Sequence, residues 1–358
     1  MQSLFLRPSF QSPRIHSFAK ITCRFLSSNH GSDKNIPNNA PTSSDPQVPS
    51  TTDHTHNVAL VKSRDYESFL IGLLHPSSIQ SSYFALRALH VELASIPNTT
   101  MASLRLQWFS DTLDHLYDCH KNNNHDLVLH HPVMDSLYQA IQKHNLTQRF
   151  FQRIVETRIH HRNNHGMVES EEQPFESMDE MLSFYERTYS SLIYLNLECC
   201  GVIHEDADRV ASSIGMSMGI VNAIRSIGCG QVGIPMDVME KYNIHSDYMN
   251  GPTNQMIQQD VQHPGRLAMQ SAVKEMALVA EEYMKYARSK QHLVPKEGRN
   301  ALLHAVSVMR YLERLERFKY DVYEDGIREV EHLNSFQARL WRLGIMMYLL
   351  RAKMTGIF

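Results

Sequence analysis

The chain has 358 residues, of which 42% are hydrophobic and 20% are charged, so it carries ample apolar material for a packed core. Its formal net charge of −3 excludes the strongly basic balance of a general nucleic-acid-binding protein. The longest near-apolar stretch, residues 191–203, contains Glu198 and is shorter than the roughly 18–20 apolar residues that a membrane span needs. Five cysteines without a C-x-x-C spacing argue against a disulfide framework and against a cysteine-rich zinc site.

The N-terminal segment is basic and free of acidic residues. Residues 1–31 carry Arg7, Arg14, Lys20 and Arg24, interleaved with serines and large apolar side chains. This composition is typical of a mitochondrial presequence, because a cationic amphipathic helix is driven inward by a matrix-negative potential. We therefore predict a presequence over residues 1–26 and a mitochondrial location; an ordinary disordered terminus is the alternative.

A polar segment follows the basic one. Residues 27–57 are rich in Asn, Pro, Ser and Thr and contain few large apolar side chains. Such a composition cannot bury enough apolar surface to offset the entropy of ordering, which predicts a disordered linker. A single domain is then expected over residues 58–358.

The remainder reads as a succession of helices, because apolar residues recur at spacings of three and four. A short helix begins near Tyr66 and stops at Pro76, and a capping box at Ser177 and Glu180 opens a long central helix. Pro235 is expected as the first residue of a short helix that ends near Tyr242. The other predicted helices are residues 77–95, 100–119, 132–144, 147–161, 205–227, 263–289, 295–319 and 333–353. These elements predict one large all-α domain.

The order of several segments resembles the squalene/phytoene synthase family. RDYESFLIGLLHPSSIQSSYFALRALHVELASI (residues 64–96) resembles its opening, in which a short helix ends at a proline and an aromatic-x-x-x-Arg helix leads into a paired-aspartate motif. The segments that resemble later helices of the family are residues 104–117, 130–146, 175–201, 212–244 and 301–315. The resemblance covers residues 64–351 and implies the all-α fold of isoprenoid synthases.

Synthases of this type ionise an allylic diphosphate with Mg²⁺ ions, which paired Asp residues at i and i+4 hold on one helical face. Aligned on Arg87, the first pair falls on His90 and Ala94, and Glu92 is the only carboxylate left in the motif. Alanine offers no ligand, and histidine prefers softer metals than Mg²⁺. The first metal motif is therefore expected to be lost.

The second paired-aspartate motif is altered in the same way. Aligned on Asn222 and Arg225, which match the family pattern, the pair falls on Ser226 and Gly230. Without carboxylates at these positions nothing neutralises the leaving diphosphate, so we expect no catalytic residue, no bound metal and no cofactor. The eight aligned residues define a vestigial diphosphate pocket, which could retain some affinity for an anionic head group or be purely structural.

The presequence, the synthase-like domain and the missing aspartates together resemble a mitochondrial branch of the family that serves the assembly of respiratory complex I (NADH:ubiquinone oxidoreductase). The resemblance implies a non-catalytic matrix protein, peripheral to the inner membrane, that acts early, at the ND1-containing membrane module. Its implied partners are complex I subunits or assembly intermediates and other assembly factors, and no nucleic acid. The alternatives are a mitochondrial prenyltransferase or an isoprenoid- or lipid-binding protein with an altered metal site.

Other acidic and metal-ligating residues are interpreted as structural. Asp111, Asp114 and Asp118 fall on a predicted solvated helix face, and the pair Asp321 and Asp325 is expected in a surface loop.

His161 and His165 have the i, i+4 spacing of metal ligands, but they lie in an Asn-rich segment without an H-E-x-x-H motif. Cys199 and Cys200 point about 100° apart on a helix and are expected to be buried structural thiols.

The C-terminal segment, residues 336–354, mixes basic residues with large apolar ones. It is too short and too charged to span a membrane. Two interpretations stay open: a helix that lies in a membrane interface, or a last core helix with a basic solvent face.

Overall fold

The computed structural model describes residues 51–97, 99, 101–122, 129–164, 174–228, 231, 233–245, 248, 252–331 and 335–358. Over these residues the chain forms helices and no β-strand, which confirms the predicted all-α class. The α-helices, in chain order, are α1 (Thr51–Arg64), α2 (Tyr66–Leu74), α3 (Ser77–Ala94), α4 (Ala102–Lys121), α5 (Pro132–His144), α6 (Gln148–Asn164), α7 (Met178–Tyr185), α8 (Ser191–Cys199), α9 (Glu205–Gly228), α10 (Met236–Lys241), α11 (Pro252–Gln259), α12 (Pro264–Lys290), α13 (His304–Arg317), α14 (Asp325–Glu331) and α15 (Phe336–Thr355). A π-helical segment (Glu186–Ser190) joins α7 to α8, and two 3₁₀ helices (Gln291–Leu293 and Lys296–Leu302) lie between α12 and α13.

The first helix corrects one domain prediction. Residues 51–57, predicted as linker, belong to α1, so the linker does not extend to residue 57. Tertiary contacts explain the error, because the buried Asn57 side chain donates a hydrogen bond of 2.8 Å to Oγ of Ser136 on α5, and Val61 is fully buried. Such contacts stabilise a helix whose own sequence is polar. The predicted presequence (residues 1–26) and the linker up to residue 50 lie outside the described residues.

The predicted long central helix is interrupted. It begins as expected, because the backbone N–H of Glu180 donates to Oγ of Ser177 at 3.2 Å. The Glu180 carboxylate, however, accepts from the N–H of Glu176 rather than from that of Ser177. The segment Glu186–Ser190 then adopts π-helical hydrogen bonding before α8 begins. π-Helical turns inside α-helices are rare and concentrate at functional sites.

Two glycines of α9 let the central helix approach closely. A Cβ at Gly219 would overlap the ring of Tyr185, and one at Gly215 would overlap Ser190, the last residue of the π-helical segment. Since any larger side chain would push the two elements apart, these glycines are required by the packing. They position the π-helical segment against α9.

Two hydrophobic clusters form the core, and α8 lies between them. The first is built mainly from α1 to α6 with α15, and the second mainly from α7 and α9 to α14. Leu192 and Leu195 of α8 belong to the first cluster, whereas Ile193 and Leu197 belong to the second. A helix that is buried on all sides must be apolar all round, which explains why residues 191–203 form the longest near-apolar stretch of the sequence.

One described helix, α9, is long and apolar enough to cross a membrane by length and composition alone. Within its apolar window, 67% of the residues are buried inside the protein, as in the core helix of a globular domain. The described residues all fall in one compact unit, Pro41–Phe358.

The structure corrects the interpretation of one acidic pair. Asp325 is exposed, but Asp321 is only 2% exposed, and its carboxylate accepts a hydrogen bond of 2.8 Å from Nε of Arg266. The expected surface position is therefore wrong for Asp321, because a buried cation compensates its charge. Asp111 and Asp118 are exposed as predicted, whereas Asp114 accepts hydrogen bonds from two glutamine side chains of α6.

Candidate functional site

Arg87 of α3 lies buried in an ion pair with Asp65, the N-cap residue of α2. Asp65 also accepts a hydrogen bond of 3.1 Å from the backbone N–H of Ser68. Burial alone would raise the pKa of the Asp65 carboxyl, but the charge and hydrogen bonds of Arg87, with the Ser68 amide, hold that pKa well below its usual range. Arg87 is therefore committed to a buried internal partner.

His90, which the sequence predicts at the first aspartate position of the family, lies one turn further along α3. Its buried imidazole packs edge-on against the ring of Tyr189, with 4.8 Å between ring centroids, and its Nδ1 lies 3.3 Å from Nη2 of Arg158 on α6. Burial lowers the pKa of His90 well below its usual value, and the charges of Arg87 and Arg158 lower it further. The imidazole is therefore neutral near pH 7 and cannot attract an anion by its own charge.

Tyr189 of the π-helical segment joins the two helices that carry the altered motifs. Its ring contacts His90 on α3, and its hydroxyl accepts a hydrogen bond of 3.2 Å from Nδ2 of Asn222 on α9. The structure thus brings His90 and Asn222 together around one tyrosine. The Tyr189 side chain therefore links His90 and Asn222 by direct contact with each of them.

Arg225 also has internal partners. Its guanidinium donates to both carboxylate oxygens of Glu67 on α2, at 2.9 and 3.4 Å, and stacks over the ring of Tyr311 with its Cζ 4.4 Å from the centroid. The indole N–H of Trp341 on α15 donates to the same carboxylate at 3.4 Å. This arrangement ties α9 to α2 and α15.

Three of the seven pocket residues that the structure describes are not brought into this group. Oγ of Ser226 donates to the carbonyl of Ala223 in its own helix at 2.7 Å, and Ala94 is exposed at the end of α3. Glu92 lies 3.5 Å from Nε2 of His131, and burial raises the pKa of its carboxyl to about 7. Gly230 lies outside the described residues.

The residues at the motif positions do not fit Mg²⁺, which binds through carboxylate and other hard oxygen ligands. His90 and Ala94 replace the first pair, and the nearby carboxylates of Asp65 and Glu67 are engaged by arginines. In the part of the chain that the structure describes, no group of three metal-ligating side chains is close enough to hold an ion. No step of diphosphate ionisation can be built on these side chains.

A cavity of about 470 Å³ opens elsewhere, at the first turn of the π-helical segment. Its lining includes Arg149, Arg153 and Arg187, with Glu186 among them. Arg153 forms an ion pair with Glu186. None of the eight residues of the vestigial diphosphate pocket lines this cavity.

Sequence reasoning missed the partners that fill the motif positions, namely Asp65, Glu67, Arg158 and Tyr189. Only Arg158 carried a local signal. It continues the apolar spacing of Phe151, Ile154 and Val155 on α6, and a cation at a core position of a helix marks a buried charge. Asp65, Glu67 and Tyr189 lie outside the helices that carry the motif residues they contact, and no local pattern marks them as partners.

Comparison with known proteins agrees with this fold. The family model described as squalene/phytoene synthase matches residues 61–341. Among curated proteins, the chain is 31% identical to mouse "NADH dehydrogenase (ubiquinone) complex I, assembly factor 6", over 84% of either chain. It is 30% identical to the human protein of that name, over 78% of either chain. The Drosophila melanogaster homolog is 29% identical, over 74% of this chain and 76% of its own.

Among solved structures, a dehydrosqualene synthase in complex with ligand has a TM-score of 0.59 at 14% identity, over 84% of this chain and 97% of its own. The squalene synthase of Alicyclobacillus acidocaldarius has a TM-score of 0.58 at 14% identity, over 75% of this chain and 95% of its own. At this identity the likeness concerns the fold alone. The family match, the curated relatives and the helical architecture agree, and the chain belongs to the squalene/phytoene synthase family.

Proposed function

We propose that this protein is a non-catalytic assembly factor for mitochondrial respiratory complex I. The relatives that carry the name complex I assembly factor 6 align over most of its length. The proposal follows the relatives rather than the structural neighbours, which are synthases, because the motif positions no longer carry the carboxylates that the synthase reaction needs.

One observation carries the non-catalytic part of the proposal: a guanidinium lies next to the position where a divalent cation would be needed. Arg158 lies 3.3 Å from His90, and burial lowers its pKa only to about 10, so it stays protonated near pH 7. Its positive charge opposes a second cation at short range. The first motif position thus favours internal packing over Mg²⁺.

The finer parts of the proposal rest on the resemblance and on the sequence. We place the protein on the matrix side of mitochondria, peripheral to the inner membrane, after import by its presequence. It acts early, at the ND1-containing membrane module, on complex I subunits or assembly intermediates together with other assembly factors. Arg87, His90, Asn222 and Arg225 of the vestigial diphosphate pocket then serve as an internal scaffold.

Import can be tested by replacing Arg7, Arg14, Lys20 and Arg24 with Gln. We expect this variant to remain in the cytosol, because the membrane potential acts on these charges. Cell fractionation measures the outcome. Unchanged mitochondrial targeting of the variant would contradict the presequence.

The assembly role can be tested in cells that lack the protein. Wild type and Ser226→Ala should restore complex I to the same level on native gels. Among the described contacts, the Ser226 hydroxyl donates a hydrogen bond only to the carbonyl of Ala223, in its own helix turn. The purified protein should release no pyrophosphate from farnesyl or geranylgeranyl diphosphate with Mg²⁺. Measurable turnover would support the prenyltransferase alternative, and a prenyl lipid retained in native mass spectrometry would support the carrier.

A further inference from the structure

The outward face of α15 is apolar along its whole length. The large side chains on this face are Phe336, Leu340, Leu343, Met347, Leu350 and Met354. Their spacing of four, three, four, three and four residues puts them on one side of a helix. Each is between 39% and 80% exposed. We define these six residues as the α15 ridge; by the helical rise it is roughly 27 Å long.

The ridge is not the core-facing side of the helix. Ile345, Leu349 and Ala352 are buried and pack in the first hydrophobic cluster, and they lie on the opposite side of α15 from the ridge. The helix is therefore apolar on two faces. The sequence had left open a last core helix with a basic solvent face; the structure shows the core-facing side, but the solvent face is apolar at its centre and basic only at its margins.

Basic residues border the ridge. Arg339 and Arg351 are exposed and lie about 60° to either side of its centre by the rotation of an α-helix. Arg342 and Lys353 lie further round, where Arg342 stacks over Tyr66 and Lys353 donates to the carbonyl of Leu74 at 2.8 Å. No Asp or Glu occurs anywhere in α15. The exposed face is thus an apolar strip with cationic margins.

We propose that the α15 ridge docks on an anionic phospholipid surface, with the helix axis parallel to the membrane. The apolar side chains would enter the acyl boundary while Arg339 and Arg351 reach the phosphates, since long basic side chains extend toward the polar layer. A second copy of the chain fits poorly, because two such ridges would bring arginine margins together without an acidic partner.

This inference adds a specific contact to the proposed location at a membrane. It rests on the proposed function only for the identity of that membrane, the mitochondrial inner membrane. It assigns the contact to one helix and names anionic lipid as the partner. It does not depend on whether the protein assists complex I, because the contact is between the chain and lipid alone.

Vesicle sedimentation tests it with the full-length chain. All proteins carry Arg7, Arg14, Lys20 and Arg24 as Gln, so that the N-terminal cations add no binding. Vesicles of phosphatidylcholine with phosphatidylglycerol are compared with vesicles of phosphatidylcholine alone. We expect the parent to bind the anionic vesicles, and Leu343→Glu with Met347→Glu to weaken this binding at least tenfold.

Two further variants sharpen the test. Arg339→Gln with Arg351→Gln should weaken binding to anionic vesicles by roughly fivefold for each charge and leave binding to neutral vesicles nearly unchanged. The matched control is Met101→Glu with Leu104→Glu, whose side chains on and before α4 are 56% and 62% exposed. It should bind as the parent does. All four sites are exposed, so melting temperatures should stay close to that of the parent.

The outcomes separate the two proposals. Equal binding by the parent and the Leu343/Met347 variant, or no binding by the parent, overturns the lipid contact. The lipid contact is also overturned if the parent binds no vesicles but captures a purified acidic partner protein, and the Leu343/Met347 variant loses that capture. The ridge would then be a protein-binding surface. If vesicles are bound through the ridge but the wild-type chain fails to restore complex I, the lipid contact stands and the assembly role falls.

Discussion

Two buried ion pairs of this fold look alike in isolation and differ in their surroundings. Arg87 pairs with Asp65 in the vestigial diphosphate pocket, and Arg266 of α12 pairs with Asp321 between α13 and α14. Both arginines are almost fully buried, and both aspartates accept a second hydrogen bond from a backbone N–H two or three residues further along. Burial and pairing therefore do not distinguish a former active site from ordinary structure.

The difference lies in the titratable neighbours. Around Arg87 and Asp65, the hydroxyl of Tyr83 lies 3.3 Å from Nε2 of His304, and both side chains are buried. Arg266 instead donates to the carbonyl of Gln258 at 2.9 Å, and its other neighbours are the half-exposed carboxylate of Glu324 at 4.0 Å and the ring of Tyr323 at 6.0 Å from the guanidinium. The first pair therefore has buried histidines as neighbours, whereas the titratable neighbours of the second are a carboxylate and a phenol.

The largest expected effect comes from breaking either pair. Arg266→Met and Arg87→Met each leave a buried carboxylate without its cation, so we expect each to lower the free energy of unfolding by about 3–5 kcal/mol. Urea unfolding measures this loss. Arg266→Met with Asp321→Leu should recover most of the stability, because no charge is then left buried. A double variant as unstable as the single one would show that the pair itself is favourable.

Acidification should affect the first region through its histidines. Burial, with the nearby charge of Lys353, lowers the pKa of His75 to about 4, and burial with the charge of Arg87 lowers that of His304 to about 3. In the unfolded chain a histidine titrates near pH 6.5. Below that pH the unfolded state binds protons that the folded state does not, so stability falls as the pH drops from about 6.5 toward 4.

His304→Gln should flatten this decline, by up to about 1.4 kcal/mol for each pH unit between pH 6 and pH 4. Unfolding midpoints in urea at pH 7, 6 and 5 report the slope. His292→Gln is the matched control, because that side chain is exposed, and its slope should equal that of wild type. A slope that His304→Gln leaves unchanged would contradict the buried neutral state of His304.

A smaller effect is expected at the tyrosine that joins the two motif helices. Tyr189→Phe keeps the ring contact with His90 but removes the hydroxyl that accepts from Asn222, at a cost of about 0.5–1.5 kcal/mol. Tyr286→Phe, at a 40% exposed position, serves as control. Complex I levels should follow protein abundance in both variants. A selective loss of complex I with Tyr189→Phe at normal abundance would mean that the pocket has a function of its own.

Periodicity and capping signals predicted most of the fold, because they report local preferences. Helix α5 lies within the predicted bounds, with Pro132 at its first turn. Helix α1 was missed because its sequence is polar and its order comes from contacts with α3 and α5. The π-helical segment was missed because the three–four spacing of Met181, Tyr185, Thr188 and Leu192 runs through it in the sequence and predicts an unbroken α-helix.

The site was predictable only in part for a related reason. Family motifs identified Arg87, His90, Asn222 and Arg225 as positions of interest, and the structure brings partners to each of them. The identities of those partners depend on how distant helices pack, and spacing along one helix contains no such information. Glu92 illustrates the limit, since it shares α3 with His90 yet meets His131 at the start of α5.

Helix α1 has a consequence for maturation. Any peptidase that trims the N-terminus must stop before Thr51 if the domain is to keep its first helix, because a cut within α1 would remove the Asn57 amide from Ser136 and uncover Val61. A cut before Thr51 could remove the whole basic segment, residues 1–31, and would leave the buried face of α1 in place.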